Sequence, residues 1–290
     1  MTRSALCVGI NEFASLRETD WLRGCVNDAH DVAEALTALH FGVSDVVVLC
    51  DGTATRKDVW SRLTRLVSTS RPGDTVVFSI STHGVQVPNL PGDVDDEPDG
   101  LDEALACADL RVGADGWDRD TIILDDELRD LMGSVPSGVL LEVLLDTCHS
   151  GTGLRDADDD RDGSGLGLPG QGRPRFLPSP VQTGLPRRLA PAGPRREADV
   201  RRRPYRSVPL RAVVHSACRP DQTARDATFD GRSNGAFTHF FLEAIKASPT
   251  ATRSELLRSV TAGLEEGGFS QRSTLEGPVK AKKLSFGQLW

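Results

Sequence analysis

Hydrophobic and polar positions along the chain alternate between two periods. Short apolar runs at Ala5–Ile10, Val46–Cys50, Thr75–Ser81 and Val139–Leu145 read as strands, the first and last of them buried. Between the first runs, apolar residues recur at helical spacing. Ala29, Val32, Ala33, Leu36 and Leu39 mark one helix, which Asn27 or Asp28 is placed to cap. Val59, Leu63, Leu66 and Val67 mark the next, opened by Thr55 with Asp58 three residues on. This β-α-β-α-β order predicts an α/β fold with a mostly parallel central sheet flanked by helices on both faces.

Residues 84 to 124 show no clean period and are expected to be largely irregular around an acidic centre, Asp93 to Glu103. Asp125-Asp126-Glu127 then opens a short helix. After Gly151 the composition shifts. Residues 156 to 162 are acidic, and 171 to 206 are rich in Pro and Arg with few apolar residues to offset chain entropy. A mobile linker or long surface loop is expected there. Order resumes in a strand at Arg211–Ala217 and helices at Gly235–Ile245 and Ser254–Leu264. The chain therefore divides into a larger unit (1–151), a linker (152–208) and a smaller unit (209–290) that completes the same sheet.

Two of the strands end in reactive side chains. Thr75-Val-Val-Phe-Ser-Ile-Ser-Thr leads to His83, and Val143-Leu-Leu-Asp-Thr leads to Cys148. Open α/β sheets place ligands and chemistry at the C-terminal ends of their strands. If these two strands are neighbours, Cys148 and His83 face each other as nucleophile and base.

Composition narrows the class. The 290 residues carry a net charge of −8, which argues against nonspecific nucleic-acid binding as the main activity. The Arg-rich stretch from 173 to 206 is a local exception. It reads either as a nucleic-acid or acidic-surface contact or as a solvated insertion. No apolar run approaches the roughly 20 residues of a membrane span. Met1-Thr-Arg-Ser lacks signal-peptide grammar, and the six cysteines are scattered without paired spacing. A reduced, cytoplasmic setting is expected.

The motifs Leu22-Arg-Gly-Cys-Val-Asn-Asp28, Ser81-Thr-His-Gly84, Asp99-Gly-Leu-Asp102, Ile123-Leu-Asp-Asp126 and Asp146-Thr-Cys-His-Ser-Gly151 stand in the order seen in metacaspases. Ser216-Ala-Cys218, Asp221-Gln-Thr-Ala224 and Gly235-Ala-Phe-Thr238 continue the match. The chain resembles these caspase-like cysteine peptidases over nearly all of its length except the linker. It departs at Thr82, where the family pattern has glycine before the histidine.

The resemblance implies a caspase-like fold and a cysteine endopeptidase with Cys148 as nucleophile and His83, rather than the adjacent His149, as base. Backbone N–H groups of Gly84 and Cys148 would form the oxyanion hole. Asp28, Asp146 and Ser81 match the acidic S1 pocket, which would accept Arg or Lys through charge-assisted bonds. Asp102, Asp125 and Asp126 match calcium ligands, with the fourth family position at Arg155 and Asp156 beside it. No organic cofactor is implied, and the protein is expected to act as a monomer on protein substrates. Under this reading the linker offers its own cleavage sites: Arg161, Arg173, Arg175, Arg187, Arg188, Arg195, Arg196, Arg201, Arg202, Arg203 and Arg206. Cleavage there, by the enzyme itself or by an upstream protease, would regulate activity. A catalytically inactive scaffold and a protease whose linker also binds nucleic acid are the competing readings.

Overall fold

The computed structural model describes residues 1–89, 100–113, 116–148, 172–180 and 211–290. The chain begins β1 (Arg3–Gly9), α1 (Cys25–Ala38), β2 (Val46–Cys50), α2 (Arg56–Thr69) and β3 (Thr75–Ser81). Next come β4 (Gly84–Pro88), β5 (Leu101–Ala106), β6 (Ile122–Leu124), α3 (Asp125–Gly133), β7 (Leu140–Asp146) and the two-residue β8 (Arg173–Pro174). The C-terminal part adds β9 (Ala212–Ser216), β10 (Arg225–Phe229), β11 (Arg232–Gly235), α4 (Ala236–Ala247), α5 (Arg253–Glu266), β12 (Thr274–Glu276) and α6 (Val279–Lys282).

Six strands form the central sheet in the order β12-β9-β7-β3-β1-β2. All pair in parallel except β12, which runs antiparallel to β9 at the edge. Every residue of β3 and β7 is buried, as expected of parallel strands covered on both faces. Side chains alternate between those faces. Leu6, Val8, Phe78 and Val143 pack against Val59 and Leu63 of α2 and Leu128 of α3. Ala5, Cys7, Val77 and Leu144 pack against Val32 and Leu36 of α1, Phe237 and Phe241 of α4 and Leu256 of α5. The pairing of β7 with β9 joins the parts of the chain on either side of residues 149–210 into one sheet.

Three expectations need correction. Residues 84 to 124 are not mostly irregular, because β4, β5 and β6 form an antiparallel sheet. Its small and acidic residues, such as Gly84, Asp102 and Glu103, masked the strand pattern. Helix α1 starts at Cys25 after Gly24, so Asp28 lies inside its first turn rather than capping it. The Pro/Arg-rich stretch is not wholly a surface loop. Residues 172–180 are described, and Arg175, Phe176 and Leu177 within them are buried.

Candidate active site

Ser81 and Asp146 are paired across β3 and β7, so His83 and Cys148, each two residues further on, stand at the same level beyond adjacent strand ends. Gly84 lies against the cysteine backbone, where an added Cβ would sit 1.7 Å from the Cys148 carbonyl oxygen. Only glycine allows that approach. Thr82 needs no such freedom: it is buried and its hydroxyl donates to the Ala106 carbonyl at 2.8 Å.

The His83 ring is buried beside Phe13, with ring centroids 5.3 Å apart. Its Nε2 lies 2.9 Å from the carbonyl oxygen of Asp20, an acceptor, so Nε2 carries the proton. Nδ1 is left buried without a hydrogen-bond partner. Burial pulls the imidazole down to about 4, with the Asp20 carbonyl acting in the opposite direction. At neutral pH it is a neutral base with one bare nitrogen. The Cys148 Sγ accepts from the Ala224 N–H at 2.9 Å.

Beside this pair lies a pocket of three carboxylates. Asp28 of α1 accepts from the Gly235 N–H at 2.9 and 3.1 Å and from Asn234 at 3.0 Å. Asp146, at the end of β7, accepts from both the N–H and the hydroxyl of Thr238 in the first turn of α4. Asp226 of β10 accepts from the N–H groups of Arg23 and Gly24. Ser81 is buried at the same strand end, paired with Asp146. Burial raises the Asp28 carboxyl to about 6, against the pull of the neighbouring guanidinium of Arg175.

That guanidinium comes from the Pro/Arg-rich stretch. Arg175 has no exposed surface and reaches Asp28 at 2.7 Å, Asp226 at 2.9 Å and Asp146 at 3.1 Å. Burial alone would lower its affinity for the proton, but Asp146 and the other acidic groups outweigh that and hold it charged. Its backbone is held as well. The Arg175 N–H donates to Ala224, and its carbonyl accepts from the Gly84 N–H at 2.8 Å. Upstream, Arg173 and Pro174 pair antiparallel with Asp226 and Arg225. Downstream, the Leu177 N–H donates to the Gly84 carbonyl. An extended peptide thus lies across the site with its carbonyl on one of the two expected oxyanion donors. Among the described residues, the other expected donor, Cys148 N–H, makes no bond to it.

The expected calcium ligands do not assemble. Asp102 is engaged by Arg119 at 2.8 Å and Asp125 by Arg129 at 3.2 Å, while the Asp126 side chain is 77% exposed. Burial raises the Asp125 carboxyl to about 6, with the charges of Asp126 and Asp102 adding to it and that of Arg129 opposing it. Among the described residues no three His, Cys, Asp or Glu side chains are placed to hold a metal. Among the described residues, these three positions do not by themselves make a metal site. Asp156, Arg155, His149 and the linker arginines other than Arg173 and Arg175 lie outside the described residues.

The sequence pattern of the metacaspase, peptidase C14 domain, matches residues 3–156. The chain belongs to the metacaspase family. It is 30% identical over 94% of its length to Metacaspase-1 of Pyricularia oryzae, of which it spans 71%. To Metacaspase-1 of Coccidioides immitis it is 29% identical over 94% of its length, spanning 61% of that relative. A Geobacter sulfurreducens protein of solved structure superposes over the whole chain with a TM-score of 0.68 at 22% identity. Caspase-1 from Spodoptera frugiperda superposes over 95% of it at 0.55 and 12%. These two likenesses establish the caspase-like fold. Metacaspases are cysteine peptidases of the caspase type, which agrees with Cys148 and His83 at adjacent strand ends. Among the described residues, no helix of this metacaspase is long and apolar enough to cross a membrane.

Three features of the site escaped the sequence. Asp226 follows Ala224 by two positions in a stretch with no period, and only the fold brings it to α1. The Asp20 carbonyl is a backbone group with no side-chain signature. Gly235 stood in the motif Gly235-Ala-Phe-Thr238, but its role against the carboxylates did not: a Cβ there would meet Asp146 at 2.1 Å.

Proposed function

We propose that this metacaspase is an endopeptidase that cleaves after Arg or Lys, with Cys148 as nucleophile and His83 as acid and base, and that Arg175 is its own tethered substrate. One observation carries the reading: a fully buried arginine spans three carboxylates while its carbonyl sits on the Gly84 N–H. That is the pose required of the residue before a scissile bond. Asp28, Asp146 and Asp226 are then the specificity pocket, and they would repel the acidic residue that true caspases select.

In the reaction, the bare nitrogen of His83 takes the proton of the Cys148 thiol, the thiolate attacks the Arg175 carbonyl carbon, and the oxyanion forms against the Gly84 N–H. The C–N bond breaks as His83 protonates the Phe176 nitrogen. Water then attacks the thioester with His83 taking its proton, and Cys148 is released with a carboxylate on Arg175. Until that cut, the 172–180 segment keeps other substrates out. Cleavage of the linker is therefore the activating step, and a protein substrate with a basic residue before the bond is the natural successor in the site.

The test is direct. Purified protein should yield a new N-terminus at Phe176, seen by mass spectrometry, and should release a fluorophore from Arg and Lys peptides but not Asp peptides. Cys148→Ala should abolish both. Activity confined to Asp peptides would refute the pocket assignment.

A further inference from the structure

Ala224, just before β10, offers the Cys148 sulfur both of its backbone groups. Its N–H donates to Sγ at 2.9 Å, whereas its carbonyl oxygen lies 3.5 Å from the same atom. A thiol can use either contact, but a thiolate can only accept. The closer contact is the one that suits the anion. Ala224 has no exposed surface, so little water competes with that donor. His83 is a reluctant counter-charge, since burial pulls its imidazole down to about 4. A neutral donor fixed in the backbone therefore carries part of the anion's stabilisation.

That donor is braced by one buried side chain. Gln271, 1% exposed, accepts from the Arg225 N–H at 2.9 Å and donates to the Ala217 carbonyl at 3.0 Å. The Ala217 N–H in turn donates to the carbonyl of Leu145 on β7 at 2.9 Å. The bonds close a ring that leaves β7 at Leu145, passes through Ala217, Gln271 and Ala224–Arg225, and returns at Cys148. The Arg225 N–H and the Ala224 carbonyl belong to one peptide plane, which Gln271 and the Arg175 N–H grip from opposite edges. We propose that the Ala224 N–H is a catalytic donor to the Cys148 thiolate, and that Gln271 is the residue that positions it. The proposal rests on the protease reading above.

The arrangement couples the nucleophile to the bond it attacks. Ala224 holds the sulfur through its N–H and the backbone of the cleaved residue through its carbonyl, at 3.0 Å from the Arg175 nitrogen. One residue thus keeps Sγ in register with the carbonyl carbon it must reach. Gln271 touches neither sulfur nor substrate and acts only through the peptide it braces. Without it the Ala224–Arg225 plane can turn, and the thiolate loses its donor. The effect belongs in the share of Cys148 that is ionised at a given pH, because only the thiolate reacts. A merely structural brace would instead slow the thiol equally at every pH.

Two measurements decide it, both on the full chain carrying Arg175→Ala, which lets the 172–180 segment lift off the sulfur. The first follows capture of Cys148 by iodoacetamide across pH, read by mass spectrometry on the Cys148 peptide. Adding Gln271→Met, which keeps the bulk and removes both bonds, should move the rise in rate up by about one pH unit, a loss of about tenfold on the acid side. The plateau at high pH should keep its height. A uniform fall at every pH, or an unmoved rise, overturns the proposal. The second measurement leaves Gln271 in place. With nitrogen-15 alanine, the Ala224 amide proton should move downfield as Cys148 loses its proton, and the movement should vanish when Cys148→Ala is added. An amide that ignores the cysteine overturns the proposal, even if the Gln271→Met protein does not fold. Neither measurement reads proteolysis. If both shifts are seen but Arg and Lys peptides stay uncut, the protease reading fails and the donor stands.

Discussion

Arg175 and Arg253 are the two largest fully buried side chains among the described residues, yet they are held in opposite ways. Arg253, at the start of α5, meets one carboxylate, Glu142 in the middle of β7, through Nε at 2.8 Å and Nη2 at 2.5 Å. Its remaining donors go to the carbonyls of Ala281, Leu284 and Gln288 in the C-terminal tail. Glu142 also accepts from the Gly287 N–H and lies 3.3 Å from His215. One acid balances one cation, and neutral dipoles complete the shell. Arg175 meets three carboxylates, so its pocket carries more negative charge than its occupant neutralises. Two burials equal in exposure differ in stoichiometry. A balanced pair welds the tail to the sheet, whereas an over-acidic pocket is suited to exchange one cation for another.

The largest expected effect falls on the weld. Arg253→Ala strands Glu142 in the sheet and frees the tail, and should cost about 3–5 kcal/mol of unfolding free energy in urea titrations. Arg175→Ala, made in the Cys148→Ala background so that no cleavage intervenes, should cost about 1 kcal/mol or less. The 172–180 segment can lift off, and water then reaches the three carboxylates. Equal losses in the two variants would break the comparison and make Arg175 a structural residue. With Cys148 intact, Arg175→Ala should also lower the apparent KM for external Arg peptides. It removes a competitor whose tether gives it an effective concentration of about millimolar.

The contrast also shows what was legible in the sequence. The strands β1, β3 and β7 could be read because burial on both faces leaves largely apolar runs, the half-buried edge strand β2 because its own run Val46–Cys50 is apolar, and α2 announced itself through Thr55, whose hydroxyl accepts from the Asp58 N–H. His83 and Cys148 could be read because chemistry at strand ends follows from the topology. The occupant of the pocket could not. Arg175 was one arginine among many in a segment whose composition argues for exposure, and nothing in a linear pattern tells a solvated arginine from one threaded beneath three acids. Glu142 and Arg253 were hidden likewise: a charge inside an apolar strand becomes intelligible only when its partner, 111 residues away, is folded against it. The β4–β6 sheet was missed because its strands are short and acidic, with Asp102 meeting its charge partner Arg119 only across a loop.

The finest separation of the two arginine sites is by pH, because their carboxylates are shifted in opposite senses. Burial, with Asp146 adding to it, raises Asp28 from its ordinary 3.8 to about 6. Glu142 is equally buried, but the hydrogen bond from His215 and the charge of Arg253 outweigh that burial and hold it below its usual range. The contribution of Asp28 to stability is present below its unfolded value and is lost as pH rises through about 6. That of Glu142 is present above 4.5 and is lost only as pH falls through its depressed folded value. Between pH 7.5 and 5, then, the weld should hold and the urea midpoint should not fall on account of Glu142. Over the same range Asp28 takes up a proton and the pocket loses charge. Benzamidine, a small cation suited to the pocket, isolates that change from the protonation of His83. Its inhibition constant should rise as pH falls toward about 6, the value Asp28 has with a cation in the pocket, by at most about tenfold per unit. A constant that stays flat over that range would mean that Asp28 remains ionised throughout, and the pH contrast between the two arginine sites would disappear.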